Sequence, residues 1–340
     1  MSDCVIVMPV YVTRQTVTDR PTERAVDAFS FLGDDLRLSI LRTLADRESR
    51  AGPRTNPMAY SDLRRAVGER DSGKFSYHLG KLTGRFVEKT SGGYRLLEPG
   101  RETVRLLERG IVGDDTVLDA EQVDARCPRC GGDVHVIYAD HHLFTCCSAC
   151  AGLFGADECP PGTLTGIVLP PTVVEQLDPT PLFRRAHWVF ERRLRPMIDG
   201  ICLECAGVVD GRLRRCLDHE PEGICSDCLS SYPVLAEVVC ETCGRGRVTH
   251  PLFGNPGADG VGPGHVPDDD RSASGRDAAV GERDSGDRAA ERDGAGDAAW
   301  RRFEDFLTWS ADPQGDGSVA FEHPNGGDRV VVAPDLGVVE

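Results

Sequence analysis

The residues best suited to chemistry in this chain are its cysteines, 14 among 340 residues. Ten of them form five Cys-x-x-Cys pairs, at 127/130, 147/150, 202/205, 225/228 and 240/243, where random placement would give about 0.6. Two thiolates three positions apart sit on one tight knuckle, and two knuckles close a tetrahedral zinc site. Cys127, Cys130, Cys147 and Cys150 flank two short apolar runs, Val134 to Tyr138 and Leu143 to Thr145. That is the knuckle, strand, turn, strand, knuckle order of a zinc ribbon. Cys146 adjoins Cys147, but only Cys147 has the two-residue spacing to Cys150.

Residues 200 to 243 carry a repeat. Gly200-Ile201-Cys202-Leu203-Glu204-Cys205 recurs as Gly223-Ile224-Cys225-Ser226-Asp227-Cys228, and Cys216-Leu217-Asp218-His219 recurs as Cys240-Glu241-Thr242-Cys243. His219 takes the place of a fourth cysteine, which zinc accepts. The spacing favours sequential pairing, 202/205 with 216/219 and 225/228 with 240/243, because each repeat then closes on itself. A cross-brace, 202/205 with 225/228 and 216/219 with 240/243, is the alternative. The expectation is up to three Zn2+ ions in a structural role, since full four-ligand sets leave no open position for catalysis. Cys4, Cys146 and Cys159 stay outside these sets, and His135, His141 and His142 read as ribbon residues. With no nucleotide-binding glycine loop, no His-Glu-x-x-His and no paired carboxylates in a recognisable context, an enzyme is not expected.

The composition frames these motifs. The formal net charge is −16, aromatics make up 6% of the chain, and only three lysines occur: Lys74, Lys81 and Lys89. So acidic a surface suits a halophilic protein and excludes a uniformly basic nucleic-acid coat. An acid near the start and the lack of an apolar run near 18 residues point away from export and from a membrane span. A cytoplasmic location is the expectation, and there cysteines serve metals rather than disulfides.

Residues 25–112 reverse the balance, with 16 Lys plus Arg against 12 Asp plus Glu. A short helix is expected over Ala25 to Phe31. Asp34 or Asp35 then caps a second with Leu36, Ile40, Leu41 and Leu44 on one face. After a turn at Gly52 to Pro57, Ser61 caps a third helix that Gly68 ends, and Ser72 caps a fourth with Phe75, Leu79 and Leu82 at helical spacing. Its outward positions read as Lys74, Ser76, Tyr77, His78 and Lys81. Phe86 to Thr90 and Tyr94 to Leu96 flank Ser91-Gly92-Gly93 as a hairpin. Pro99 opens a last helix whose Val104, Leu107 and Ile111 face is suited to a partner copy.

The run Phe31-Leu32-Gly33-Asp34-Asp35-Leu36-Arg37-Leu38-Ser39-Ile40-Leu41 resembles the opening of ArsR-type winged-helix regulators. Phe75 to Leu82, with Phe86-Val87-Glu88 and Gly93-Tyr94-Arg95-Leu96, resembles the recognition helix and wing of their haloarchaeal members. The resemblance covers about a quarter of the chain. It implies a transcriptional regulator that dimerises and binds double-stranded DNA. Lys74, Ser76, Tyr77, His78 and Lys81 would then meet the major groove, with Lys89, Arg95, Arg64 and Arg65 on phosphates. Metal-sensing members carry cysteines in this domain, whereas residues 24–112 here have none.

The whole therefore reads as an α+β multidomain chain. An unstructured stretch, 1–20, precedes a winged helix-turn-helix domain at 21–112 and a zinc ribbon at 122–155. A connector with a helix at 156–199 leads to a duplicated zinc-knuckle pair at 200–250. In the connector Pro181 opens a helix with Leu182, Ala186, Val189, Phe190 and Leu194 on one side and a solvated arginine-rich face on the other. Residues 254–299, with no aromatic residue and 11 acids against 5 bases, read as a disordered linker. A helix from Trp300 and three short strands close the chain at 300–340 and need another surface to pack on, the ribbons being the candidate. A protein-interaction scaffold, or a metal-responsive switch that does not read DNA, is the alternative function, with a protein partner held by the ribbons or the C-terminal element.

Overall fold

The structure, a computed structural model, describes residues 30–51, 57–113, 115–254, 285–326 and 328–339. The chain divides into two compact units, one on each side of residue 114. The expected stretches 1–20, 25–29 and 52–56 lie outside the described residues.

In the first unit, helical residues 30–32 precede α1 (Asp35–Ala51), α2 (Tyr60–Val67) and α3 (Ser72–Leu82). A hairpin of β1 (Val87–Thr90) and β2 (Gly93–Leu96) leads to α4 (Glu98–Glu108). Asp34 caps α1 as expected, its carboxylate accepting the Arg37 N–H at 3.1 Å. Two caps differ from expectation. Helix α2 starts at Tyr60, ahead of Ser61, because Ala59 is extended and its carbonyl already accepts the Leu63 N–H. At α3 the cap is Asp71, whose carboxylate accepts the N–H groups of Gly73 and Lys74; two donors satisfied by one charged group outcompete a serine hydroxyl.

Ile40, Leu41, Leu44, Leu63, Phe75, Leu79, Leu82, Phe86, Val87, Leu96 and Val104 form one core. Glu48 is buried against it and accepts two hydrogen bonds from Arg101 (2.8 and 3.0 Å) and one from the Leu96 N–H. That fork ties α1 to α4 and β2, and removing one partner would strand a buried charge. Met58 pairs with Tyr94 beside the hairpin, so close to Gly93 that a Cβ there would sit 2.2 Å from the Met58 carbonyl oxygen.

The second unit holds three antiparallel sheets and two long helices. β3 (Leu118–Arg126), β4 (Asp133–Ala139), β5 (His142–Cys147) and β6 (Thr163–Val168) pair in chain order. A short helix, α5 (Pro171–Val174), and α6 (Pro179–Ile198) follow. β7 (Val209–Arg215), β8 (Val234–Cys240) and β9 (Gly246–Thr249) make the second sheet. After α7 (Ser285–Phe306), β10 (Ser310–Pro313), β11 (Val319–Glu322), β12 (Arg329–Val332) and β13 (Val338–Val339) make the third.

One apolar cluster takes in residues of every one of these elements except β13, β10 joining it through Ala311. The stretch 156–199 is consequently no mere connector: β6 is the fourth strand of the first sheet, and Leu182, Phe183, Ala186, Phe190 and Leu194 of α6 are buried in the common core. Of the expected linker at 254–299, residues 255–284 lie outside the described residues, and residues 285–299 are helical rather than disordered. Helix α7 begins 15 residues before Trp300, and small side chains bring it against α6, where a Cβ on Gly296 would lie 2.4 Å from the Arg184 carbonyl oxygen. Asp297 pairs with Arg184 at 2.6 Å and Arg302 with Glu191 at 2.6 Å. The C-terminal element packs on the ribbons as expected, through the Leu213 N–H to the Pro334 carbonyl (2.9 Å) and the Tyr232 hydroxyl to the Leu307 carbonyl (3.0 Å).

Candidate metal centres

Four of the Cys-x-x-Cys pairs share one backbone device. In the knuckles beginning at Cys127, Cys202, Cys225 and Cys240, the N–H four residues on donates to the first cysteine's carbonyl at 2.8–3.0 Å. The first cysteine's own N–H donates to the carbonyl five residues on, at 2.8–3.1 Å. The residue after the second cysteine needs a left-handed backbone, a place occupied by Gly131 (φ 70°), Ala206 (56°), Leu229 (53°) and Gly244 (72°). This loop presents both sulfurs on one side.

Three groups of four donor atoms result, each within a 4.8 Å span: Cys127, Cys130, Cys147 and Cys150; Cys202, Cys205, Cys240 and Cys243; Cys216, His219, Cys225 and Cys228. Every metal ligand expected from spacing, His219 included, is in one of these groups. A tetrahedron with metal–sulfur bonds of about 2.3 Å has edges of about 3.8 Å. Here Cys127 and Cys150 are 3.7 Å apart, Cys130 and Cys147 3.5 Å, Cys202 and Cys243 3.7 Å, Cys205 and Cys240 3.5 Å, and Cys216 and Cys225 3.9 Å. The shorter bond to imidazole shortens the mixed edge, and Cys228 Sγ lies 3.4 Å from His219 Nδ1. These donors suit ions such as zinc, and none of the described cysteines is in a disulfide.

The pairing in the second sheet differs from both expected schemes. It is nested: 202/205 joins 240/243, and 216/219 joins 225/228 inside it. The cause is the strand between the knuckles. β7 pairs with β8 from Val209 opposite Cys240 to Arg215 opposite Val234, and seven extended residues span roughly 20 Å. Cys205 and Cys216 thus belong to opposite ends of one hairpin. The first ribbon has the same plan, with knuckles at one end of β4–β5 and a tight turn at Asp140-His141 (φ 47° and 62°) at the other. In the second ribbon residues 216–233, with the third centre, stand where that turn would be. Gly132 and Gly207 are equivalent here too: a Cβ would meet Ala149 Cβ at 2.8 Å in one and Thr242 Oγ1 at 2.4 Å in the other.

Each centre contains a sulfur poised to lose its proton. Burial pushes the Cys127 and Cys228 thiols up to about 12. At Cys147 burial also acts upward, but the Ala149 N–H and neighbouring thiols outweigh it and bring the group down to about 7. Cys240 is brought to about 7 in the same way, against burial, by the N–H groups of Cys243 and Thr242. Cys225 is lowered to about 7 by the backbone N–H groups of Glu220 and Cys228. Thiolates are the ligating form, so these sulfurs are the first handholds for a cation. Cys146 lies outside all three groups: it is buried beside Thr163 Oγ1 at 3.7 Å.

The positions expected to meet DNA divide. Lys74, Ser76, Tyr77 and Lys81 are exposed on α3, with the Lys81 ammonium 5.4 Å from the Tyr77 ring centroid. Lys74 pairs with Glu69 at 3.1 Å, and the Ser76 hydroxyl lies 2.7 Å from that of Tyr60. Lys89 is exposed on β1, and Arg95 pairs with Glu88 at 2.7 Å. Arg65 pairs with Asp62 at 3.1 Å, while Arg64 reaches the Arg70 carbonyl at 3.4 Å. His78 departs from expectation. It is 8% exposed, turned inward, with Nδ1 accepting from Arg37 Nε at 3.2 Å and 3.1 Å from Asp34 Oδ1. Its position three residues after Phe75 and four before Leu82 puts it on the buried stripe.

Residues 25–107 match a family described as a domain of unknown function (DUF7347), and residues 124–253 match another so described (DUF7351). No curated protein and no solved structure matches the chain. No helix among the described residues is long and apolar enough to cross a membrane.

Proposed function

We propose that this chain is a cytoplasmic DNA-binding regulator: residues 30–113 act as a winged helix-turn-helix and up to three structural Zn2+ ions hold the cysteine-rich body together. The observation that carries the reading is the division of α3, with Phe75, Leu79 and Leu82 in the core and Lys74, Ser76, Tyr77 and Lys81 turned outward. A helix that anchors by one face and offers cations, a hydroxyl and an aromatic edge by the other suits major-groove reading. The Lys89 and Arg95 hairpin suits phosphate contact. The local excess of base over acid in an otherwise acidic chain supports the same assignment. Of the face expected to meet a second copy, Val104 is buried in the core, while Leu107 and Ile111 are half-buried and, with Leu106 at 39% exposed, suit that contact.

Chromatin immunoprecipitation of the tagged protein identifies its sites, and fluorescence anisotropy on those duplexes tests the surface. Lys74→Ala and Lys81→Ala are each expected to weaken binding about tenfold and to reduce the salt slope by about one. Absence of enriched sites, or unchanged affinity in both variants, overturns the reading.

One observation favours the alternative of a ribbon-borne protein-interaction site. Ile201, Leu203 and Val208 are 54%, 59% and 63% exposed around the Cys202 knuckle. In that case the Lys74 and Lys81 variants would leave partner capture intact, whereas Leu203→Ser would abolish it.

A further inference from the structure

Four of the five Cys-x-x-Cys pairs close on their own backbone, and the fifth does not. At Cys147 and Cys150 the Cys147 N–H donates outward to the Gly162 carbonyl at 2.8 Å, and among the described residues no N–H four positions on returns to the Cys147 carbonyl. Gly162 presses on that carbonyl instead, so closely that a Cβ would lie 2.2 Å from its oxygen. The place of Cys150 in the first centre therefore depends on the chain that leaves it. The Gly152 carbonyl accepts from Arg129 of the opposite knuckle, and the N–H groups of Leu153 and Phe154 donate to the Thr163 carbonyl at 2.7 and 3.1 Å.

The same chain is then stitched to the loop of the third centre. The Gly155 N–H donates to the Leu229 carbonyl at 3.1 Å and the Ser231 N–H to the Leu153 carbonyl at 3.0 Å, with Phe154 bridged to Ser230 in antiparallel fashion. Ile224 packs on this short ladder, where a Cβ on Gly155 would lie 2.7 Å from its Cγ2. Ile224 precedes the ligand Cys225, and Leu229, Ser230 and Ser231 follow the ligand Cys228. Leu229 holds a left-handed φ of 53°, which a leucine adopts only when its surroundings impose it. Fixing Cys225 and Cys228 on one ion would impose that turn and aim the Leu229 carbonyl at Gly155.

We infer that this ladder couples two metal centres, so that metal at the third raises the affinity of the first, and by reciprocity the first raises that of the third. Coupling presupposes that both groups hold metal, as proposed above, and is independent of DNA binding. Two backbone hydrogen bonds and one side-chain contact set its size at about tenfold in affinity.

The test equilibrates the full chain in buffers of graded free Zn2+, then alkylates it so that peptide mass spectrometry reads the occupancy of each centre separately. Cys216→Ser/His219→Ala removes two ligands of the third centre that lie outside the ladder. It should raise the free Zn2+ that half-fills the first centre about tenfold. Gly155→Val keeps all twelve ligands and wedges the ladder against Ile224, so it should weaken both centres. Adding Cys216→Ser/His219→Ala to it should then weaken the first no further. If Gly155→Val does not fold, Ile224→Ala takes its place in the same cycle. A wild-type chain with no saturable Zn2+ at these cysteines overturns the metal-centre reading itself. Full occupancy in the wild type, with an unshifted first centre in Cys216→Ser/His219→Ala or an undiminished shift in the Gly155→Val background, overturns the coupling alone.

Discussion

The nested pairing of the second ribbon makes a count that neither other scheme makes. Cys205 and Cys243 are exposed, so serine at both positions removes two sulfurs with little cost to the core. In the nested arrangement both belong to one centre, so Cys205→Ser/Cys243→Ser loses one ion and keeps two of three. Sequential and cross-braced pairing would each place these residues in different centres and lose two. The converse pair, Cys205→Ser/Cys216→Ser, strikes two nested centres and should keep only the ion of the first ribbon; sequential pairing would keep two. The separation behind this is large. The seven residues of β7 hold the two ends of the hairpin roughly 20 Å apart, over five times the tetrahedral edge of about 3.8 Å. No side-chain adjustment closes such a gap. Structural zinc contributes roughly 10–16 kcal/mol of apparent binding energy in small finger peptides, so a centre that loses two of its four ligands should empty during dialysis rather than bind weakly. Metal content by mass spectrometry on dialysed protein gives the number. Two ions lost from Cys205→Ser/Cys243→Ser would refute the nested geometry, and the Cys205→Ser/Cys216→Ser count would then separate sequential pairing (one lost) from cross-braced pairing (two lost).

Other outcomes follow from single positions. Gly132→Ala and Gly207→Ala place a Cβ against the opposite knuckle at 2.8 and 2.4 Å. Each should cost about 1–3 kcal/mol by overpacking and lower the unfolding midpoint in urea, and unchanged midpoints would remove the argument that the knuckles interlock. His187 is buried, its Nδ1–H donating to the Phe183 carbonyl at 2.9 Å and Nε2 lying 3.2 Å from Thr165 Oγ1. Burial depresses its pKa to about 4. Because the unfolded chain binds this proton first, stability falls as the pH drops below about 6.5, by about 2 kcal/mol at pH 5. His187→Gln should show correspondingly less loss between pH 7.5 and 5 in parallel urea titrations, which cancel any metal loss common to both proteins. Equal losses would count against it.

How much could be read from the sequence depended on how locally each feature is determined. All twelve candidate ligands are legible, because their two-residue spacing is local to each pair. Their partners are not, because the same knuckle forms whichever partner it meets; the intervening strand makes that choice. The repeat at residues 200–243 therefore marked a shared loop geometry rather than shared centres. His78 was misplaced by residue type, although its spacing from Phe75 and Leu82 agreed with burial. The part of α7 before Trp300 is not legible because Ala, Gly, Asp and Arg signal solvation. Gly296 instead permits close approach to α6, and Asp297 meets Arg184 across 113 positions of chain.

The third centre also sets an order of assembly. His219 and Cys225 are separated by 5 residues, whereas the outer knuckles at Cys205 and Cys240 have 34 between them. Closing the longer loop first costs about 1.7 kcal/mol more in chain entropy, and it brings together two strands whose register nothing has yet fixed. An ion bound first at the inner site would clamp Arg215 opposite Val234 and leave the remaining pairs to zip toward Cys240. Metal there would do the work of a β-turn, and the outer site would be completed by the hairpin that the inner one began.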